Sequence, residues 1–215
     1  VHLPVLRDDP AFELVGVYSR TLARARETAA EAGPDVTATD DLDAVLRDPT
    51  LDAVDVVLPI PQLAPVTQRA LAAGRHVVSE KPIARDTREA VELLTFAASR
   101  PDRVWMVAEN WRYEAAFVRA AELVRDGAIG RPILAHWQAC VPIRPGNRYH
   151  ATAWRRSGAV AGGLLLDVGV HYVAVLRAVL GDVEEARAVA VSVHPDLPPA
   201  DTLAASLVTE DDVAV

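Results

Sequence analysis

Short apolar runs and amphipathic stretches alternate along the first hundred residues of the chain. Five apolar runs have the length of buried strands: 12–18, 36–38, 52–58, 76–78 and 104–108. The stretches with helical periodicity are 1–6, about 21–32, a short one at 42–46, about 63–73 and 86–98. Strands and helices that alternate with short links predict parallel strands joined by right-handed helical crossovers. The expected fold of this half is therefore α/β, a Rossmann-type doubly wound parallel sheet.

Residues that commonly cap helices support these positions. Thr21 precedes the second helix, and Asp40 or Asp41 can cap the third. Asp86 and Glu89 have the spacing of a capping box at the head of the helix that runs through residue 98.

The pattern changes after Asn110. A helix is expected at 114–125, followed by a longer strand at 132–141 and a loop rich in Pro, Gly and Arg at 142–156. An unusually apolar helix then spans about 163–180. The last strand-like segments are 184–193, 202–209 and Val213 onward. Strands without intervening helices predict a mostly antiparallel sheet in an α+β domain. We place the domains at 1–109 and 110–215, and we expect the first to be N-terminally and the second C-terminally incomplete.

Composition narrows the class of protein. With 51% apolar and 24% charged residues, the chain has the composition of a soluble globular protein, and no run of eighteen apolar residues predicts a membrane span. A net charge of −8 without a Lys/Arg run argues against a nucleic-acid partner. The single cysteine, Cys140, excludes an internal disulfide framework and fits a reducing, cytoplasmic location.

Two ionisable residues, Asp167 and His171, interrupt the apolar helix at 163–180. Apolar residues cover nearly its whole circumference, so we expect burial on most sides. The i, i+4 spacing puts Asp167 and His171 on one face with Cβ atoms about 5–6 Å apart. Ala174 and Ala178 extend that face and leave room beside the pair.

A buried carboxylate next to an imidazole can hold the imidazole's tautomer and make it a proton acceptor. The alternative is a purely structural Asp-His pair that anchors the helix to a loop. A zinc site is disfavoured because no third His or Cys has metal spacing, so we expect no metal. His136, His150 and His194 are scattered, and we expect each to be structural or on the surface.

Glu80, Lys81 and Pro82 follow the apolar run 76–78. Ligands of open α/β sheets bind at the carboxyl ends of the strands, so Lys81 is a candidate site residue. The alternative is a surface Glu-Lys pair at a turn.

Ser19 and Arg20 end what would be the second strand of a dinucleotide fold. An acidic residue there binds the ribose 2′-hydroxyl of NAD, whereas an arginine accommodates the 2′-phosphate of NADP. NADP is therefore the expected cofactor and NAD the less favoured one, unless Arg20 is only an exposed residue that starts a helix. The Gly-rich phosphate loop is not in the sequence, and we expect it, with the first strand, just upstream of Val1.

Four motifs together resemble the glucose-fructose oxidoreductase, inositol dehydrogenase and rhizopine catabolism (Gfo/Idh/MocA) family. They are VYSR (17–20), ALAAGRHVVSEKP (70–82), GAIG (127–130) and GGLLLDVGVH (162–171). Three further stretches resemble a branch of that family that uses NADP(H): LPIP (58–61), ENWRY (109–113) and WR (154–155).

The resemblance implies a catalytic set of Lys81, Asp167 and His171. By analogy His171 is the acid/base on a substrate hydroxyl or carbonyl, Lys81 orients and polarises that oxygen, and Asp167 positions or tunes His171. The residues that the resemblance assigns to the cofactor are Ser19, Arg20, Leu58, Pro59, Glu80, Lys81, Asn110, Trp154 and Arg155. Many members carry an Asp where this chain has Ala174, and Asn and His where it has Ile60 and Leu63, which weakens the transfer of polyol specificity.

These observations predict an NAD(P)-dependent oxidoreductase that moves a hydride between nicotinamide and a sugar, a polyol or a related small carbonyl compound. The alternative is a dinucleotide-sensing regulatory protein of the same fold without catalysis. The expected partners are a small-molecule substrate and further copies of the chain, paired through the C-terminal sheet of the full-length protein. Without the phosphate loop, we expect these 215 residues alone to bind NADP weakly or not at all.

Overall fold

The structure, a computed structural model, describes residues 2–147 and 149–215. The helices of the first half are α1 (His2–Asp8), α2 (Leu22–Ala32), α3 (Leu42–Arg47), α4 (Ile60–Ala72) and α5 (Thr87–Ala98). Its strands are β1 (Gly16–Tyr18), β2 (Thr37–Thr39), β3 (Ala53–Val56), β4 (His76–Ser79) and β5 (Trp105–Val107). The second half comprises a 3₁₀ helix (Asn110–Tyr113), α6 (Ala115–Arg125), α7 (Ala153–Ser157), α8 (Gly163–Leu180), β6 (Val183–Val191) and β7 (Thr202–Thr209).

All strand pairs of the first half are parallel, which confirms the predicted doubly wound sheet. β1 pairs with β2, with Val17 opposite Ala38. β3, β4 and β5 form a second ladder in that order, and Val77 of β4 lies opposite Trp105 of β5. Within the described residues no ladder joins β1 to β3. Several predicted strands are shorter than expected; the run 12–18, for example, is a strand only at Gly16–Tyr18.

The core of the first half lies between the β3–β4 ladder and helices α3 and α4. Its buried members are Leu46, Val56, Leu63, Ala70, Leu71 and Val77. Each large apolar side chain removed from water contributes about 1.5–3 kcal/mol. At the end of β4, the indole N–H of Trp105 donates to the Ser79 hydroxyl at 2.9 Å. The core and this bond hold the strand end that carries Lys81.

The predicted helix caps are partly confirmed. The Asp41 side chain, not that of Asp40, caps α3 by accepting from the Ala44 N–H at 2.9 Å. Asp86 accepts from the Glu89 N–H at 2.9 Å. The return bond of the box differs, because Glu89 accepts from the Arg85 N–H. Thr21 is at the N-cap of α2 but makes no side-chain cap bond.

The second half confirms the helix at 163–180 and an antiparallel pair, in which Ala188 of β6 lies opposite Ala205 of β7. The predicted strand at 132–141 was wrong, since only Leu134 forms a bridge, to Ala214. A strand needs a neighbour along its length, and the rest of that run has none among the described residues. The segment from Val213 onward is likewise reduced to bridges at Ala214. The loop 142–156 contains the unpredicted start of α7.

Helix α8 is less buried than its apolar sequence predicted. Its buried residues include Leu164, Asp167 and Val175, whereas Val173 is 49% exposed. The expected burial on most sides was therefore wrong, because α6, the 3₁₀ helix and β7 cover only part of the helix. By length and composition alone α8 could cross a membrane, with a mean hydropathy of 1.7, but core helices of soluble proteins meet the same criterion. The expectation of no membrane partner stays a prediction.

Candidate active site

The predicted site residues meet where the carboxyl ends of β4 and β5 face helix α8. Lys81 lies two residues beyond the end of β4, and Glu109 two residues beyond the end of β5. Asp167 and His171 are on α8, one turn apart. Because neighbouring parallel strands end at the same edge, the first half presents two charged side chains to one helix.

Lys81 joins the two halves of the chain through Asp167. Its Nζ donates to the Asp167 carboxylate oxygen Oδ1 and to the Asp167 main-chain oxygen, each at 3.0 Å. The Lys81 side chain is 19% exposed and that of Asp167 8%. Lys81 is therefore held in a mostly buried ion pair, and the alternative of a surface Glu-Lys turn was wrong.

Arg155 of α7 occupies the second oxygen of the same carboxylate. Its Nη2 and Nε lie 2.6 and 2.9 Å from Asp167 Oδ2. Nη1 donates to the Thr152 hydroxyl at 3.0 Å, and the guanidinium lies 4.5 Å from the ring centre of Trp154. Hydrogen bonds between two charged groups are among the stronger ones in proteins. One buried carboxylate thus holds two cations from two parts of the chain.

His171 is held by Glu109 rather than by Asp167. Nδ1 of His171 lies 2.6 Å from Glu109 Oε1, and the Trp111 N–H donates to the same oxygen at 3.1 Å. The expectation that Asp167 holds the tautomer of His171 by direct contact was wrong. The i, i+4 spacing does place both residues on one face, but Lys81 and Arg155 draw the Asp167 carboxylate away from the imidazole.

Sequence reasoning placed Glu109 within a motif but not in the site. The available signal was its position, since an acid directly follows β5 at the edge where Lys81 follows β4.

The aromatic residues around His171 were also missed. They form one cluster, in which consecutive ring centroids lie 5.0–6.0 Å apart: Trp111, Phe117, Trp137 and Tyr172.

A cleft of ≈ 750 Å³ opens beside this constellation. Lys81 and Glu109 line it from the first half, and Ala174 and Ala178 line it from α8. The face of α8 that borders the cleft also carries Leu166 and Val170, whereas neither Asp167 nor His171 lines it, so the predicted room beside that pair stays a prediction.

Four of the predicted cofactor residues lie at the ends of β1 and β3. Ser19 follows β1 and donates its N–H to the Thr39 oxygen at 3.1 Å. Arg20 is exposed and makes no ion pair within the described part of the chain. Pro59 is the N-cap of α4, and Leu58 beside it packs against the core.

The remaining cofactor predictions lie nearer the catalytic set. Asn110 is exposed and begins the 3₁₀ helix, and Trp154 and Arg155 are on α7. Glu80 accepts from the Lys81 N–H at 3.1 Å and lies 3.3 Å from His2 Nε2. Lys81 and Arg155 thus converge on Asp167, whereas Ser19 and Arg20 lie on the separate β1–β2 ladder.

His2 and Asp55 form an ion pair that sequence reasoning did not single out. Nδ1 of His2 lies 2.8 Å from Asp55 Oδ2. Burial raises the pKa of Asp55 above its ordinary value, and the His2 charge opposes that rise only in part. The signal was a carboxylate in the middle of an apolar strand.

His150 and His194 are distant in the sequence, but their rings are 6.1 Å from each other. Nε2 of His150 lies 3.1 Å from Asp196 Oδ2, so the contact is structural. Among residues 2–147 and 149–215, no group of three or more His, Cys, Asp or Glu side chains could hold a metal ion.

Comparisons with known proteins support a common ancestry for this arrangement. The model of the oxidoreductase family with an NAD-binding Rossmann fold matches residues 1–108, and that of the GFO/IDH/MocA C-terminal domain matches residues 117–215. A 1,5-anhydro-D-fructose reductase of Ensifer adhaerens is 34% identical over 183 residues, which are 84% of this chain and 52% of the reductase.

Two solved structures extend the likeness over nearly the whole chain. An oxidoreductase from Thermotoga maritima is 35% identical with a TM-score of 0.92, over 100% of this chain and 66% of that one. GenD2 from gentamicin A biosynthesis, solved with NAD, is 28% identical with a TM-score of 0.81, over 99% of this chain and 60% of that one.

The chain spans about half to two thirds of the length of the curated relatives it matches. Both of its halves match models of one family, and the parallel sheet, the α8 helix and the antiparallel pair agree with that assignment. The chain therefore belongs to the GFO/IDH/MocA oxidoreductase family, with its NAD-binding Rossmann fold.

Proposed function

We propose that the protein is an NADP-dependent oxidoreductase that interconverts a hydroxyl and a carbonyl group on a sugar, a polyol or a related small molecule. One observation carries this proposal. The mostly buried Lys81 contacts α8 at Asp167, one turn away from His171, whose Nδ1 is already bonded to Glu109. The reductase of Ensifer adhaerens named above acts on a sugar derivative, which supports the substrate class.

When bound, nicotinamide supplies the acceptor or donor of the hydride. The chain supplies a positive charge and a proton carrier. Lys81 Nζ makes two hydrogen bonds to Asp167, and an ammonium has three donors, so one N–H can bind a substrate oxygen. That charge stabilises an oxygen that becomes negative in the transition state. His171, bonded through Nδ1, uses Nε2 to take the proton from a substrate hydroxyl or return it to a carbonyl oxygen.

Ser19 and Arg20 are proposed to bind the ribose end of NADP. The supporting observation is that Arg20 is exposed at the carboxyl end of β1 and has no ion-pair partner among the described residues. Leu58, Pro59 and Glu80 at neighbouring strand ends, with Asn110, Trp154 and Arg155 from the second half, are proposed to complete the cofactor site. GenD2 was solved with NAD, so the choice between the two dinucleotides needs its own measurement.

Replacing His171 by Ala in the full-length protein tests the acid/base assignment. We expect kcat to fall by about 10²–10⁴-fold, because general acid–base catalysis contributes that much. The dissociation constant for NADPH should change little. A panel of sugars and aldehydes assayed for NADPH oxidation provides the readout. Unchanged turnover in the variant excludes His171 as the acid/base, and a full-length protein that binds NADPH but oxidises it with no member of the panel favours the non-catalytic sensor.

The cytoplasmic location and the homo-oligomer are also proposals. One face of β6 leaves large side chains in solvent, among them Val189 at 66% and Val191 at 45% exposure. An exposed apolar sheet face supports pairing between copies of the chain. Light scattering of the full-length protein would give its mass, and a monomer would contradict the proposal.

A further inference from the structure

We propose that Glu109 is the positioning residue that fixes the tautomer of His171, with Trp111 holding the ring in place. This inference rests on the proposed function, in which Nε2 of His171 exchanges a proton with the substrate. A tautomer fixed at Nδ1 leaves Nε2 available for that exchange. Nothing in the chain's amphipathic pattern indicated it, since the two residues are 62 positions apart.

Glu109 is built rigidly into the end of β5. Its own N–H donates to the Val107 oxygen at 2.8 Å, and the neighbouring Ala108 N–H donates to the Ser79 oxygen at 2.8 Å. The Glu109 side chain is 8% exposed. The carboxylate is therefore fixed by the parallel ladder rather than by a mobile loop.

The contact between Glu109 and His171 determines which ring nitrogen of His171 carries the hydrogen. An ionised carboxylate only accepts hydrogen bonds, so at 2.6 Å from Oε1 the Nδ1 atom must carry the hydrogen. In the neutral ring, Nε2 is then the unprotonated nitrogen and can accept a proton. The Trp111 N–H donates to the same Oε1 at 3.1 Å and fixes the direction of that oxygen.

Trp111 restrains the plane of the ring as well. Its indole stacks on His171 with centroids 5.0 Å apart and planes at 18°. Tyr172 meets the same indole edge-on, at 5.2 Å and 74°. Turning the His171 ring out of its observed plane would break both the stack on Trp111 and the bond to Glu109.

Asp167 cannot take over this task in the observed arrangement. Its Oδ1 accepts from Lys81, and its Oδ2 accepts from Arg155 through two nitrogens. The site thus divides two functions between two carboxylates. Asp167 holds the cation that faces the substrate oxygen, and Glu109 holds the proton carrier.

The second oxygen of Glu109 bears on the charge balance of the pair. Oε2 is buried and has no hydrogen-bond partner in the part of the chain that the structure describes. A buried carboxylate is costly unless a charge or donors compensate it. When Nε2 accepts the substrate's O–H proton, His171 becomes a cation beside Glu109. At the same time the C–H hydride passes to oxidised NADP, and the C–O bond becomes C=O.

Replacing Glu109 by Gln tests the assignment, because the amide keeps the shape and loses the charge. An amide can either accept from Nδ1–H or donate to Nδ1, so both tautomers become possible. Nitrogen-15 NMR of the ring nitrogens of His171, in protein without cofactor, should show the Nδ1–H form in the wild type and a mixture in the variant. We expect kcat to fall about 100-fold, within the range for acid–base catalysis, with KM changed less than threefold.

Glu114→Gln is the matched control, because Glu114 is exposed and its side chain makes no cap bond. It should leave the tautomer and the turnover unchanged. Glu109→Asp, which keeps the charge, should restore part of the turnover lost in Glu109→Gln.

The wild-type spectrum alone can overturn the proposal, whether or not the variants fold. A neutral His171 that carries its hydrogen on Nε2 excludes the role of Glu109. If Glu109→Gln keeps both the tautomer and the turnover while His171→Ala is inactive, the proposed function stands and this inference fails. If His171→Ala is fully active but the wild type shows the Nδ1–H form, the acid/base role fails and the tautomer assignment stands.

Discussion

Nζ of Lys81 lies 3.0 Å from both the carboxylate and the main-chain oxygen of Asp167. The bond to the carboxylate depends on the aspartate side chain, whereas the bond to the main chain would survive its replacement. Because Arg155 shares the carboxylate, removing the lysine leaves Asp167 with a cationic partner, but removing the Asp167 carboxylate leaves two cations without that anion.

Asp167→Ala should therefore destabilise the fold more than Lys81→Met does. Breaking a buried ion pair from one side costs about 3–5 kcal/mol, which we expect for the aspartate variant. For Lys81→Met, losses of about 1–3 kcal/mol are expected, since Asp167 keeps Arg155. Urea unfolding followed by circular dichroism measures both. Equal losses in the two variants would contradict the sharing of one carboxylate by two cations.

Arg20→Ala should weaken NADP binding by the full-length protein and leave NAD binding nearly unchanged. A hydrogen bond to a charged group contributes about 1.5–3 kcal/mol, so a loss of about 10–100-fold in NADP affinity is expected. Calorimetric titration with each dinucleotide gives the two constants. Arg24→Ala on α2 is the control, because Arg24 is also exposed and lies one helical turn further on. Parallel losses for both cofactors would remove the basis for an NADP preference.

The stability of the protein should carry a pH dependence that belongs to Asp55. Burial raises its folded-state pKa above the ordinary value of 3.8. The unfolded chain therefore loses this proton at a lower pH than the folded chain does. The stabilisation from the protonated form is fully present below the ordinary value and is lost as pH rises through the raised value.

Asp55→Asn should flatten that part of the pH profile. The asparagine cannot ionise, so the decline in the free energy of unfolding above pH 3.8 should shrink relative to the wild type. Urea unfolding at a series of pH values supplies the comparison. A profile for Asp55→Asn that matches the wild type would show that the folded state does not perturb this carboxyl.

The local pattern of apolar and polar residues predicted the helices and strands well where that pattern alone determines them. The α8 helix appeared at its predicted bounds because apolar residues occupy most of its positions from Leu164 to Leu180. The strand at 132–141 failed because a strand is defined by its neighbours, which no local pattern contains. The predicted burial of α8 was wrong for the same reason, because an apolar helical sequence does not show which faces of the helix other elements cover.

Sequence reasoning named Lys81, Asp167 and His171, but it missed Glu109 and the contacts that each of these residues makes. Helical spacing correctly placed Asp167 and His171 on one face, and the charged turn at Lys81 was correctly placed at the sheet edge. Which groups bond to each other depends on Arg155 and Glu109, which approach from other parts of the fold. A carboxylate prefers two nearby cations to a neutral imidazole, and that preference acts only after folding has brought them together.

Helix α8 bonds to the first half at two places one turn apart, through Asp167 to the end of β4 and through His171 to the end of β5. A hinge rotation of one half against the other would break these two bonds together. Opening would thus release the lysine and free the imidazole to change its tautomer in a single motion. The relative orientation of the halves and the bond that holds Nδ1 of His171 therefore depend on the same two neighbouring contacts.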